Sequence, residues 1–250
     1  MKYTEKNAKT IASWVEEGWI WGTEVSHDAF MRASNGEWEV VLTPTKAVPK
    51  SWFGDVAGKK VLGLSSAGGQ QMPILTAAGA ECTVFDITEA MLDKDRLVAK
   101  REGIAITIVK GDITEEFPFK DGSFDLIFYP VSNCYYQDMG HVFSECFRVL
   151  RKGGRLLSGL STEMNYIVDE SEKSIVNALP FNPLENEEYM KQLDETNSGV
   201  QFSHSIEENI GCQLRAGFVL KDIYSDTNGE GNLHRLNIPS FLATLAIKPI

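Results

Sequence analysis

Cysteine is scarce and dispersed. The four residues Cys82, Cys134, Cys146 and Cys212 form no C-x-x-C pair, and no histidine stands beside them at metal-ligand spacing. Free thiols in a reducing compartment fit this better than a disulfide framework or a zinc site, so no metal is expected. Basic charge is in deficit: 24 Lys and Arg face 35 Asp and Glu, leaving a formal charge of −11 and a pI near 4.9. A field of that sign repels phosphate backbones, so nucleic acid is not an expected partner. Long apolar runs are absent as well. The most apolar stretch, residues 124–131, is broken by Asp125 and Pro130, and neither a spanning segment nor a membrane partner is expected. The opening MKYTEKNAKT is polar and lacks a signal-peptide core, which makes the expected location cytoplasmic. No internal repeat of solenoid period interrupts this picture.

What the chain does have is 43% hydrophobic residues, enough for a sizeable core, arranged as an alternation. Residues 59–64, 82–85, 105–109, 124–129 and 155–160 read as short strands, and helical stretches separate most of them. Gly79 and Gly103 stop two of these helices, as glycine does where a helix end turns left-handed. The run 124–129 is nearly continuous in apolar residues, the mark of a strand buried on both faces. Strand–helix alternation at this spacing predicts an α/β fold, a parallel sheet with helices on both faces. The stretch 152–154 reads as a turn. A polar segment from about 162 to 204 reads as an insertion, with one helix near 185–193. A helix over 206–216 and strands at 218–224 and 241–247 follow, the two strands pairing antiparallel with no helix between them. All five tryptophans lie within the first 52 residues, ahead of the first strand. Residues 1–57 thus form a helical extension, either packing over the sheet edge or roofing a pocket, and 58–250 form the main domain.

In an open α/β sheet, ligands bind beyond the carboxyl ends of the strands. Four features land there. The small-residue loop from Gly63 through Ser65, Ala67 and Gly68 allows close backbone approach to a ligand and opens a helix. Asp86 ends the second strand, 23 residues after Gly63; it suits a ribose diol, or simply caps the helix after it. Gly111, Asp112 and Ile113 follow the third strand, where the carboxylate and an N–H group match an adenine edge or make an ordinary turn. The run from Tyr129 to Tyr136, with Pro130, Val131 and Asn133, follows the fourth strand. Tyr135 and Tyr136 either face a ligand or pack on the next helix.

The ordered motifs VLGLSSAGGQ, TVFDIT, KGDIT, FDLIFYPVSN and ECFRVLRKGGRLL resemble those of class I S-adenosylmethionine-dependent methyltransferases, in a bacterial subgroup of the small-molecule type. The resemblance is firm over about residues 58–160. It implies a Rossmann-like, seven-stranded, mostly parallel sheet whose last strand is antiparallel, with S-adenosylmethionine as the cofactor. By the family's roles, the Gly63–Gly69 loop would wrap the methionine part and Asp86 would hold the ribose. Ile87 and Met91 would flank the adenine, and Asp112 and Ile113 would read its edge. Pro130 and Val131 would line the methyl end. The family's acidic residue and two of its glycines in the first motif are here Gly63, Ser65 and Ala67.

A sulfonium methyl is already electrophilic, so alignment and water exclusion supply most of the rate. Where an acceptor must lose a proton, a base is needed. His27 is the candidate for that base and Asn133 for a substrate-orienting amide, each with an ordinary surface or capping role as the competing interpretation. The resulting expectation is methyl transfer to a small molecule. A non-catalytic cofactor-binding protein and, less favoured for want of a G-x-G-x-x-G loop, an NAD-dependent oxidoreductase are the competitors.

Overall fold

The computed structural model describes residues 1–250. In chain order the elements are α1 (Tyr3–Glu16), α2 (His27–Ser34), α3 (Lys50–Phe53), β1 (Lys60–Leu64), α4 (Gln71–Ala77), β2 (Glu81–Asp86), α5 (Glu89–Glu102), β3 (Thr107–Lys110) and β4 (Phe124–Tyr129). They continue with α6 (Met139–Val149), β5 (Leu150–Ser161), α7 (Met164–Ile167), α8 (Glu187–Glu195), α9 (Cys212–Arg215), β6 (Val219–Asp226), α10 (Gly231–Arg235) and β7 (Phe241–Ile247). The strands form one sheet in the order β3-β2-β1-β4-β5-β7-β6, with β7 antiparallel to both its neighbours. This is the seven-stranded, Rossmann-like arrangement expected. No helix is long and apolar enough to cross a membrane.

Side chains alternate between two cores, one on each face of the sheet. Val61, Leu126, Phe128 and Leu157 face α4 together with Trp52 and Phe53 of the extension. Leu62, Leu64, Ile127, Tyr129 and Leu156 face α6. That helix buries Met139, Val142, Phe143, Cys146 and Val149, one stripe at helical spacing. It starts where the Asp138 carboxylate accepts from the His141 N–H at 2.9 Å. Both α4 and α5 end in glycine beyond their last turn, Gly79 at φ 97° and Gly103 at φ 67°.

Two local expectations are corrected. Residues 152–154 lie inside β5 and make no turn: the Gly153 N–H donates to the Lys248 carbonyl at 2.9 Å, and the Lys248 N–H donates to Gly154 at 3.0 Å. Pairing with Lys248, the residue that follows β7, carries the strand through the glycines, with Gly153 in the left-handed region at φ 73°. The connection between β6 and β7 also holds a helix, α10, whose five residues are too few to leave a periodic signature.

The extension is built into the fold. Asn7 of α1 donates to the Val200 carbonyl at 2.9 Å, Trp52 donates to Asp222 of β6 at 2.9 Å, and the Val131 N–H donates to the Leu42 carbonyl at 3.0 Å. This last bond lies directly over Gly159 of β5. A Cβ there would sit 2.0 Å from the Leu42 oxygen and 2.9 Å from the Val131 nitrogen. Gly159→Ala is therefore expected to destabilise the protein by about 1–3 kcal/mol. A thermal melt should show a midpoint several degrees below wild type; an unchanged midpoint would mean that the segment through Leu42 is free to move away.

Candidate active site

At the carboxyl end of β1 the backbone turns sharply into α4. Ser65 (φ 44°) and Ala67 (φ 64°) both adopt the left-handed region that side chains disfavour. The Ser65 N–H donates to the Phe85 carbonyl of β2 at 3.0 Å, which pins the start of the crook. Gly63 lies just behind it, and a Cβ there would be 2.5 Å from both Met72 Cγ and Ser66 Oγ. Close packing of α4 thus requires glycine at that position.

The segment from Trp19 to Val25 straps the outside of this crook. The Gly68 N–H donates to the Trp21 carbonyl at 3.0 Å and the Val25 N–H to the Gly69 carbonyl at 2.9 Å. The Gln70 amide donates to the carbonyls of Ile20 at 2.5 Å and Thr23 at 2.6 Å, and Lys94 pairs with Glu24 at 3.0 Å.

Under the strap lies a cavity of about 330 Å³. Ser65, Ala67, Asp86, Thr88 and Met91, from the ends of β1 and β2 and the segments after them, line it together with Gln71, Pro130, Val131 and Ser132. Leu42, Thr43, Pro44, Cys134, Tyr135, Tyr136, Asn165, Tyr166, Gln201 and Phe241 also wall it, with Trp19 and Trp21 of the strap. Asp86 is the one carboxylate in this lining, which contains no Lys, Arg or His. Burial pushes its carboxyl up to about 6, against the opposing pull of hydrogen bonds from Thr88 and Ile87. The Thr88 N–H donates to Oδ1 at 2.6 Å, so both the capping contact and the cavity position are present. Burial also raises the Cys134 thiol to about 12 and the phenols of Tyr135, Tyr136 and Tyr166 well above their ordinary value. These groups therefore stay protonated at neutral pH.

Of the residues singled out in the sequence, the structure brings Ser65, Ala67, Asp86, Met91, Pro130 and Val131 into one cavity. Gly68 stands beside it, its N–H taken by Trp21. Half-buried Ile87 follows Asp86 outside the lining. Gly111, Asp112 and Ile113 do not line the cavity. The Asp112 carboxylate accepts from Thr4 of α1 at 2.7 Å and from Thr114 at 2.7 Å and 3.0 Å, and Ile113 is buried in the core beside α6.

Two expected contributions are corrected. His27 opens α2 on the surface, paired with Glu102 at 2.8 Å, and does not reach the cavity. Asn133 is fully buried: it donates to the Ser161 carbonyl at 3.1 Å and to Asn209 at 3.0 Å, and accepts from the Ser161 N–H at 2.8 Å. Those bonds make its amide a clip between the β4 loop and β5, and its burial keeps it out of the cavity lining. The sequence reading missed Gln71, Thr43, Asn165, Tyr166, Gln201 and Phe241. In the rest of that lining Tyr135 and Tyr136 carried a signal, as adjacent aromatics just past a strand end, and so did the tryptophans of the extension.

Residues 62–158 match the family model described as a methyltransferase domain. Over 230 residues the chain is 38% identical to the uncharacterized methyltransferase YbaJ of Bacillus subtilis (strain 168), covering 89% of this chain and 90% of that protein. It is 27% identical over 203 residues to squalene methyltransferase 1 of Botryococcus braunii, covering 78% of this chain and 53% of that protein. Among solved structures, an S-adenosylmethionine-dependent methyltransferase from Mesorhizobium loti shares the fold at a TM-score of 0.63 and 17% identity, over 79% of this chain and 94% of that one.

The strap depends on Gln70 for two of its bonds. Gln70→Ala should raise hydrogen-exchange rates across residues 19–25 while leaving β1 and β4 protected, because local opening then costs less. Unchanged exchange in that segment would show that the backbone bonds to Gly68 and Gly69 and the Lys94–Glu24 pair hold it without Gln70.

Proposed function

Since the chain belongs to the class I S-adenosylmethionine-dependent methyltransferases and uses S-adenosylmethionine as methyl donor, we propose that its acceptor is a small, uncharged, largely apolar molecule. The observation that carries this reading is the uncharged, largely apolar stretch of the lining that does not include Asp86. Leu42, Pro44, Tyr135, Tyr166 and Phe241 supply apolar walls, while Asn165 and Gln201 offer neutral hydrogen-bonding groups. A charged acceptor would meet no counter-charge there and would lose its hydration. The name of squalene methyltransferase 1 points to a hydrocarbon substrate for that relative, which agrees with such a lining. In this reading residues 1–57 act as the lid of a domain over 58–250, and the 162–204 insertion supplies part of the acceptor wall.

The cradle fits the cofactor. Asp86 presents a buried carboxylate whose protein donors come from Ile87 and Thr88, on the side of its own backbone. That leaves acceptor capacity for ribose hydroxyls, and Met91 offers apolar contact beside it. When bound, S-adenosylmethionine supplies a reactive sulfonium methyl. Pro130, Val131 and Ser132 would align the acceptor against it, and Trp19 and Trp21 would exclude water. Apart from Asp86, no lining side chain exchanges a proton near neutral pH. The cavity therefore suits an acceptor atom that attacks without first losing a proton, such as a neutral amine, whose methylated ammonium gives its proton to water on release, over one that needs a protein base.

The test is incubation of the protein with methyl-labelled S-adenosylmethionine and separated cell fractions. Label should enter the small-molecule fraction extracted into organic solvent. Label recovered in protein or RNA would remove the proposal. Asp86 adds a pH signature. Its folded-state value near 6 means that it takes up a proton as pH falls from 7 to 5, and the protonated form makes a weaker acceptor. Affinity for S-adenosylhomocysteine by calorimetry should fall with it, approaching about tenfold at pH 5. Asp86→Asn should bind weakly, with no such slope.

A further inference from the structure

A groove of about 500 Å³ adjoins the cavity and takes no part in the functional reading above. Trp14, Glu17 and Trp19 line it from the end of α1, residues 196–198 from just past α8, and Tyr135 from the loop after β4. Trp19 and Tyr135 line the cavity as well.

The sequence at the end of α1 builds the aromatic part of this groove. The chain leaves the helix through Gly18 at φ 87°, a conformation that glycine adopts readily. The Trp19 N–H then folds back and donates to the Trp14 carbonyl at 2.8 Å. The two indoles are thereby set side by side, their ring centroids 5.1 Å apart and their planes at 58°. The Tyr135 ring lies 6.4 Å from that of Trp14, at 51°. The Trp14 indole N–H donates to the Asn197 carbonyl at 3.0 Å, which ties its ring to the residues after α8.

The charge around the groove has one sign. No Lys, Arg or His lines it, and Glu17 is exposed. Lys6 of α1 and Lys191 of α8 are engaged by Asp194 and Glu195. Both α1 and α8 end beside the groove, and neither has a basic residue in its last turn. A helix C-terminus carries partial negative charge that a basic residue ordinarily offsets. A single carboxylate makes no metal site, and no group of three metal-ligating side chains exists in the chain. Three aromatic rings with one carboxylate suit an organic cation instead, because ring quadrupoles attract an ammonium, a methylated one included.

We propose that this groove is a binding site for an alkylammonium ion, with Trp14, Trp19 and Tyr135 around its methyl groups and Glu17 as counter-charge. Because Trp19 and Tyr135 also line the cavity, a cation held there would rest against residues of the cavity wall.

Choline and its neutral carbon isostere, 3,3-dimethylbutan-1-ol, separate attraction to charge from general apolar contact. Each is titrated into the intact protein while the tryptophan indole N–H signals are followed by NMR. Trp14→Phe, Trp19→Phe and Trp21→Phe assign the signals. Choline should shift Trp14 and Trp19 saturably, and Trp21, which lines the cavity alone, should move least of the three. The isostere should bind at least about tenfold more weakly, and Glu17→Gln should weaken choline about threefold. Glu17 lies on the surface, so the melting temperature of that variant should match wild type. No saturable shift, an isostere as strong as choline, or an unaltered affinity in Glu17→Gln would overturn the proposal. A response of Trp21 with Trp14 unmoved would overturn it as well, since the cation would then occupy the cavity.

Discussion

The crook between β1 and α4 is the constraint on which the site depends. Two non-glycine residues sit in left-handed conformations there, each costing on the order of 1–3 kcal/mol. The crook is held from three sides: by β2 through Phe85, by α4 packing over Gly63, and by the strap through Trp21, Val25 and Gln70. What this holds open is a cavity floored by strand ends, with a buried carboxylate at one edge.

The strap gives the acidic, tryptophan-rich beginning of the chain two functions in one segment. Trp52 and Phe53 complete the core over the sheet, whereas Trp19 and Trp21 turn the other way and roof the cavity. The same short stretch that roofs the cavity is hydrogen-bonded to the crook. Covering the cavity and shaping the crook are therefore mechanically joined. Buried polar side chains serve the same end: the Asn133 and Asn209 amides and the His204 imidazole tie the β4 loop to β5 and to the end of the insertion. Hydrogen bonds of this kind fix one arrangement of a loop where apolar contacts would tolerate several.

Much of the fold was legible because its signals are local. β4 is apolar along nearly its whole length, and Gly79 and Gly103 mark helix ends by their own backbone freedom. The glycines at 153 and 154 misled for the same reason, since what carries β5 through them is pairing with Lys248, almost 100 residues later. Asp86 was legible from its distance to the small-residue loop. His27 was not placeable, because whether a histidine near many tryptophans faces a pocket or a distant glutamate is set by how α2 packs. Asn133 sits where a substrate amide would be expected, and only its buried partners reveal a clip.

The sequence by itself determined the layered α/β architecture and the position of Asp86 at a strand end. Each follows from residue type and periodicity within about thirty positions. Tertiary structure alone decided which side chains share the cavity: that Asp112 is engaged by α1, that Tyr136 meets Ser65, and that Asn165, Gln201 and Phe241 join the lining. Those contacts join segments up to about 200 residues apart, and their geometry depends on packing in three dimensions, which leaves no periodic trace in the chain.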